Sequence, residues 1–346
     1  MCRRAAVFGA GSWGTAFALV LADAGCEVTL WGRRAALVHA INATHSNPDY
    51  LPDVTLPAKV RATTDPAEAA READIAVLAV SAQHVRRLLE EWAGQWRSGT
   101  VFVSLMKGVE LDSGKLMSEV VAETTGAPPS RIAVVSGPNL AAEIVARKPA
   151  ASVVACADAA TAELVQTACH TRYFRPYTNT DVIGCELGRA VKNVIALPVG
   201  ITDGMGLGDN AKASLVTRGP AETTRLGVAM GAEPLTLAGL AGMGDLVATC
   251  ASTLSRNHSF GHRIGSGMTV AQSREASTQT AEGVASCLAV RGLAERYGVE
   301  MPITRTVVGI IHRGQNPEVA VRALMSRAPK PEAAPRSRPA RVQEDR

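Results

Sequence analysis

The chain has 346 residues, 47% of them hydrophobic and only 4% aromatic, with a formal net charge of +4. That length suggests two domains, and the apolar share allows a sizeable core of Ala, Val, Leu and Ile; so small a charge gives no reason to expect a nucleic-acid partner. Seven scattered cysteines, none in CxxC spacing, support neither a disulfide framework nor a metal site, and with no run of membrane-spanning length and no room for a signal peptide the expectation is a cytoplasmic protein without a membrane span.

In chain order, "RAAVFGAG" reads as a strand ending in glycines, "TAFALVLADAG" as a helix closed by Gly25, and "EVTLWGRR" as a second strand. "ADIAVLAVS", "GTVFVSLMKG", "SRIAVVSGP" and "ASVVACA" are further apolar runs of strand length, each separated from the next by a helical or loop segment. Such alternation implies an α/β, doubly wound, mostly parallel sheet covered on both faces. Near Asp181 the character changes to small-residue helical patterns over 181–197, 209–230, 233–240, 269–276 and 281–297, with no strand signal. The expected organisation is a Rossmann-type dinucleotide-binding domain over 1–180 and an all-α substrate and catalytic domain over 181–327. The tail 328–346, rich in Pro and charge, is expected to be disordered. Small-residue helices also suggest a homodimer, since they pack well against copies of themselves.

"VFGAGSWG" carries Gly9, Gly11 and Gly14 in G-x-G-x-x-G spacing, after a strand and at the opening of a helix. In that setting the spacing is a dinucleotide fingerprint. Gly9 permits a tight turn, Gly11 lets the backbone approach the pyrophosphate, and Gly14 lets helix and strand pack closely. The end of the second strand, where an acidic residue would bind the ribose 2′-hydroxyl of NAD, carries Arg33 and Arg34 instead. Arginines suit a 2′-phosphate, so NADP is the expected coenzyme, with NAD as the alternative.

Lys107 and the pair Gly137 and Asn139 follow two of the strands, where ligands of open α/β sheets collect. In the helical half, "AGMGDL" places Asp245 in a glycine-flanked turn, and Ser255, Arg256 and Asn257 supply a hydroxyl, a guanidinium fork and an amide for phosphate oxygens. Lys192 shares a helical face with Cys185, Gly188, Ile195 and Ala196, none of which can neutralise it. Such a lysine either sends its head to water or has its pKa lowered toward working pH and serves as a proton carrier. Gly188 would leave room for substrate one turn before it.

These stretches together resemble the bacterial NAD(P)-dependent sn-glycerol-3-phosphate dehydrogenase family, from about Arg4 to Arg327. The resemblance is carried by "GAGSWGTA", "LWGRR", "MKG", "SGPN", "AVKNVIA", "NAKASLVTRG", "AGMGDLVATC", "SRN" and the "EG" at 282–283. It implies reversible reduction of dihydroxyacetone phosphate to glycerol 3-phosphate, feeding phospholipid synthesis. It also implies roles: Ser12, Trp13, Arg33, Arg34, Ala141, Thr280 and Glu282 on the cofactor; Lys107 on cofactor and substrate; Gly137, Asn139, Asp245, Ser255, Arg256 and Asn257 on substrate, with Arg256 also reaching the cofactor; and Lys192 as proton acceptor. Two positions depart from the family pattern. Asn139 stands where Ser or Thr is usual, and Pro198 interrupts a helix that usually runs on through alanines, which predicts a kink or a helix end near Leu197. Two other readings remain open. A related β-hydroxyacid dehydrogenase would share the glycine loop and a helical lysine, although "SRN" and "GMGDL" argue against it. A cofactor-binding sensor without turnover draws on Asn139 and Pro198, against the retained Lys107, Lys192, Asp245 and Arg256.

Overall fold

The computed structural model describes residues 3–252, 255–277 and 281–328. Strands β1 (Arg4–Phe8), β2 (Glu27–Trp31), β3 (Val60–Thr63), β4 (Ile75–Leu78), β5 (Val101–Ser104), β6 (Ile132–Ser136), β7 (Ala150–Cys156) and β8 (Phe174–Asn179) form one sheet in the order β3-β2-β1-β4-β5-β6-β7-β8. All neighbours run parallel except β6 and β7, which are antiparallel. Between the strands lie α1 (Ser12–Asp23), α2 (Ala35–Thr44), α3 (Pro66–Arg71), α4 (Val85–Glu91), α5 (Met117–Thr125), α6 (Ala141–Val145) and α7 (Ala159–Cys169).

Strand β1 shows why helices cover both faces. Its residues point alternately to opposite sides. Ala5 and Val7 join one buried cluster with Phe17 and Leu19 of α1, whereas Ala6 and Phe8 join another with Leu89, Trp92 and Met117. Neither face is left for water, so the inner strands read as unbroken apolar runs. The two strands absent from the sequence reading, β3 ("VRAT") and β8 ("FRPYTN"), are the outermost ones. An edge strand has one free ladder side and tolerates charge and proline.

The second half is helical: α8 (Val182–Gly204), α9 (Asp209–Ala229), α10 (Pro234–Ala238), α11 (Asp245–Ala251), α12 (Arg256–Gly265), α13 (Val270–Glu275), α14 (Glu282–Arg296), α15 (Pro302–Arg313) and α16 (Pro317–Met325). Helix α8 is its axle, buried without a break from Gly184 to Thr202. The Asp181 carboxylate caps it, accepting from the Gly184 N–H at 2.8 Å. Pro198 does not end this helix near Leu197: α8 runs through it to Gly204, enclosed on all sides. Helix α12 lies directly against α8. A Cβ on Gly200 would sit 2.1 Å from the His258 carbonyl oxygen, and one on Gly261 would sit 2.1 Å from that of Leu197. The two backbones therefore touch, and only glycines fit between them.

One stretch does reach membrane-spanning length, contrary to expectation: Pro234–Ala251, 18 residues of mean hydropathy 1.3. It is broken into α10, a π-turn over Leu240–Gly244 and α11, and it carries the buried Asp245. Its apolar side chains Leu237 and Leu246 are buried against the rest of the helical half.

Candidate active site

The glycine loop after β1 is built from backbone. Gly9 has φ 128°, which favours glycine, and a Cβ there would lie 2.5 Å from the Ala79 carbonyl oxygen. A Cβ on Gly14 would lie 1.9 Å from the Gly9 carbonyl oxygen, so helix α1 can approach the strand only with glycine there. Gly11 differs: a Cβ on it would meet nothing within 4 Å. It faces open space at the N-terminus of α1, which no side chain caps. Free amides and the positive end of a helix make an anion site. Half-buried Ser12 and Trp13 open the helix, and the Trp13 indole N–H is buried without an acceptor. These features fit a dinucleotide. Asn47, which the sequence reading passed over, braces the loop from behind by donating to the Ala10 carbonyl at 3.0 Å and to the Thr15 hydroxyl at 2.8 Å.

The two arginines after β2 separate. Arg34 is already engaged, ion-paired to Asp49 at 2.7 Å with its guanidinium 5.6 Å from the centroid of the Tyr50 ring. Arg33 is exposed, with no ion-pair partner among the described residues.

The second half of the site centres on α8. Lys192 is 5% exposed and its Nζ donates to Oδ1 of Asp245, itself 2% exposed. Asp245 is delivered by the π-turn, whose wide winding places it at the first residue of α11. Such turns recur at functional sites. Burial pushes the Lys192 pKa below its ordinary value; Asp245 resists the shift and Arg189 adds to it. Lys107, half-buried in the loop after β5, is driven down to about 7 by desolvation, then by Lys192 and Arg189, against a smaller pull from Glu282 and Asp245. Lys107, Arg189, Lys192, Asp245 and Glu282 thus share one electrostatic neighbourhood.

Gly188 does not leave room for substrate. A Cβ there would fall 2.7 Å from the Ala241 carbonyl oxygen and 3.0 Å from the Gly242 Cα, so the space is filled by the π-turn carrying Asp245. Behind Lys192 a cavity of about 10 Å³ is lined by Gly188, Ile195, Pro220, Thr223 and Leu246 among others.

Gly137 follows β6 with φ 145°, and a Cβ there would lie 3.0 Å from the Ser152 Cα. Asn139 is buried; its Nδ2 donates to the Ser152 hydroxyl at 3.1 Å and its Oδ1 has no partner. The Ser255 hydroxyl caps α12, accepting from the His258 N–H at 3.3 Å. Asn257 turns inward: its Nδ2 donates to Oδ1 of Asn193 at 3.0 Å and its Oδ1 accepts from the Gly283 N–H at 2.9 Å. Arg256, between them, is exposed. Ala141 opens α6 and packs with Trp13 on a small apolar cluster. Glu282 opens α14, half-buried, while Thr280 lies outside the described residues.

Besides Asn47, the sequence expectation lacks Glu186, Arg189 and Asn193, all buried on α8. The signal was present in "ELGRAVKN", where polar residues recur at three- and four-residue spacing through an otherwise apolar helix. The face drawn around Lys192 counted apolar neighbours and left these out.

Family models described as the N-terminus and the C-terminus of NAD-dependent glycerol-3-phosphate dehydrogenase match residues 4–162 and 181–322. A glycerol-3-phosphate dehydrogenase (NAD(P)+) of Streptomyces griseus is 67% identical over 329 residues, covering 95% of this chain and 98% of its own length. One of Thermobifida fusca is 59% identical over 330 residues, covering 95% and 98%. The crystal structure of the glycerol-3-phosphate dehydrogenase of Coxiella burnetii is 36% identical and superposes with a TM-score of 0.90, covering 94% of this chain and 99% of that one.

Proposed function

Since the chain belongs to the NAD-dependent glycerol-3-phosphate dehydrogenase family, we propose that it interconverts dihydroxyacetone phosphate and sn-glycerol 3-phosphate with NAD(P)(H), Lys192 being the proton carrier. The observation that supports this most is the buried Lys192–Asp245 pair. A free lysine is too basic to work near neutrality, and burial lowers this one toward that range. In reduction, Nζ of Lys192 gives a proton to the substrate oxygen that was the carbonyl; in oxidation it takes the hydroxyl proton back. Asp245 holds Nζ in place and keeps the charged form accessible. The bound nicotinamide supplies or accepts the hydride. Lys107, Asn139 with its unpartnered Oδ1, and Asn193 with its unpartnered Nδ2 are read as substrate contacts. Arg256 and the N-terminus of α12 are read as the phosphate site.

Arg33 supports a preference for NADP, because its guanidinium is uncommitted whereas Arg34 is held by Asp49. Cys156, Cys169, Cys185, Cys250 and Cys287 are free thiols, which supports a reducing cytoplasmic compartment. The small-residue faces of α8 and α12 meet each other and so lend no support to a homodimer. The glycerol 3-phosphate produced would enter phospholipid synthesis.

The test is oxidation of NADPH and of NADH with dihydroxyacetone phosphate, followed by absorbance. Turnover with both and a higher kcat/KM for NADPH is expected. Coenzyme binding with no turnover would instead favour a sensor, and turnover only of hydroxyacid-derived ketones would favour the neighbouring dehydrogenase class.

A further inference from the structure

Arg189 is 2% exposed. Its Nη1 donates to the Val135 carbonyl and its Nη2 to the Leu105 carbonyl. Among the described residues no carboxylate meets it directly. Asp245, Glu282 and Glu186 act on it only through space, and burial lowers its pKa to about 10. A site that needed only filling would be served as well by an apolar side chain, since burying an ion is costly.

The two carbonyls sit at a particular place. The ladder between β5 and β6 ends at the pair Ser104 and Val134. Next come Leu105, just past β5, and Val135, still within β6, so the arginine fork takes over where these two strands stop pairing. Two residues past Leu105 comes Lys107; two past Val135 comes Gly137, and then Asn139. On its own helix, Arg189 lies one turn before Lys192. One turn further back, Glu186 does the matching thing as an acceptor: its carboxyl oxygens accept from the Ser118 N–H at 3.0 Å, and from the Ser118 hydroxyl, at the start of α5. A carboxyl group meets a helix N-terminus, and a guanidinium meets carbonyls at strand C-termini. Helix α8 is thereby keyed to the sheet domain just short of the proton carrier.

We infer that Arg189 is a positioning residue for the reaction: its fork fixes the loops carrying Lys107 and Asn139 against the helix carrying Lys192, and it keeps a permanent cation one turn from that lysine. The second clause rests on Lys192 being the proton carrier; the first does not. The charged and titratable groups around Lys192 are Asp245 and Cys250 on α11, Glu282 on α14, Lys107 after β5 and Arg189 on α8. Removing Arg189 leaves both acids in place and takes away a cation, so the Lys192 pKa must rise.

The experiment compares Arg189→Met and Arg189→Lys with the wild type. It measures kcat against pH, KM for dihydroxyacetone phosphate and for NADPH, and amide hydrogen exchange over 105–109 and 135–140. For Arg189→Met, kcat falls at least tenfold, KM for NADPH stays within twofold, the pH limb of kcat moves upward and exchange in both segments quickens. For Arg189→Lys the pH limb stays at its wild-type position, because the charge is kept. Its kcat remains reduced and exchange remains raised, because one lysine cannot hold two carbonyls. Wild-type exchange and kcat in Arg189→Lys overturn the positioning role, and do so even where Arg189→Met fails to fold. An unmoved pH limb in folded Arg189→Met overturns the electrostatic role. Lys192→Met, run alongside, separates the two ideas: turnover retained there refutes Lys192 as proton carrier, while the exchange measurement still decides the fork.

Discussion

The coenzyme half and the substrate half of this site are made by different means. Around the glycine loop the chemistry lies in the backbone: Gly9, Gly11 and Gly14 sit within six consecutive positions, a Cβ on Gly9 or Gly14 would strike neighbouring backbone, and Gly11 faces open space. Around Lys192 the chemistry lies in side chains gathered from afar, with Asp245 fifty-three positions along the chain and Lys107 in the other domain. A site made of backbone is written locally and changes little with pH. A site made of buried charges depends on the whole fold and titrates as a group.

That contrast can be broken most forcefully at Lys192. Lys192→Met should lower turnover by about 10²–10⁴-fold, the usual worth of a positioned acid–base group, while NADPH binding measured by fluorescence titration stays within about twofold of wild type. Loss of coenzyme binding in the same variant would show that the two halves are not separate. Next in size is Arg256→Ala, which should cost about 3 kcal/mol in kcat/KM for dihydroxyacetone phosphate, or two decades. With dihydroxyacetone lacking its phosphate, already a poor substrate, the same variant should lose little more. Equal losses on both substrates would mark Arg256 as structural or purely coenzyme-binding.

Glu186 sharpens the pH side of the comparison. Burial raises its pKa from 4.5 to about 7 in spite of the Ser118 bonds. The folded state therefore holds a proton that the unfolded chain has released. The stability this contributes is fully present below about pH 4.5 and is lost as pH rises through about 7. Glu186→Gln should remove that dependence, so that its stability relative to wild type improves between pH 5 and pH 8 by at most about 3 kcal/mol. Urea unfolding at the two pH values reads it, and a parallel loss at both would refute the assignment. The smallest effect belongs to Arg33, the exposed arginine after β2. Arg33→Asp should shift the NADPH-to-NADH ratio of kcat/KM by about tenfold toward NADH, about 1.4 kcal/mol; an unchanged ratio would mean that Arg33 does not read the 2′-phosphate.

The same contrast explains what could be read from the residues alone. The inner strands and the glycine loop were legible because burial on both faces and tight turns leave marks on adjacent residues. Strands β3 and β8 were not, because an edge carries Arg61, Arg175 and Pro176 without penalty. Helices α11, α12, α15 and α16 are absent from the sequence expectation, although α15 carries a regular apolar face of Ile303, Val307, Ile310 and Ile311 that helical spacing alone would report. At the site, Lys192, Asp245 and Arg256 could be nominated one by one, mostly through family resemblance. The Lys192–Asp245 contact, the Arg189 fork and the Asn193–Asn257–Gly283 chain join residues far apart in sequence, and no local pattern reports them. Gly188 was misjudged for the same reason: its missing side chain was noticed, but what fills the space came from the π-turn fifty residues on.

The glycine seam between α8 and α12 acts as a calliper. Because Gly200, Gly204, Gly261 and Gly265 bring the two backbones into contact, neither helix can slide or roll without a clash. Lys192 rides on one jaw, and Ser255, Arg256 and Asn257 stand at the tip of the other. The gap between the proposed proton carrier and the proposed phosphate grip is then a fixed length, set by glycines outside both. A phosphorylated ketone with one more carbon between phosphate and carbonyl would be gripped as firmly at its phosphate and turned over poorly, its oxygen carried past Nζ. Widening the jaws with an alanine at Gly200 or Gly261 should weaken the preference for the three-carbon substrate before it weakens binding.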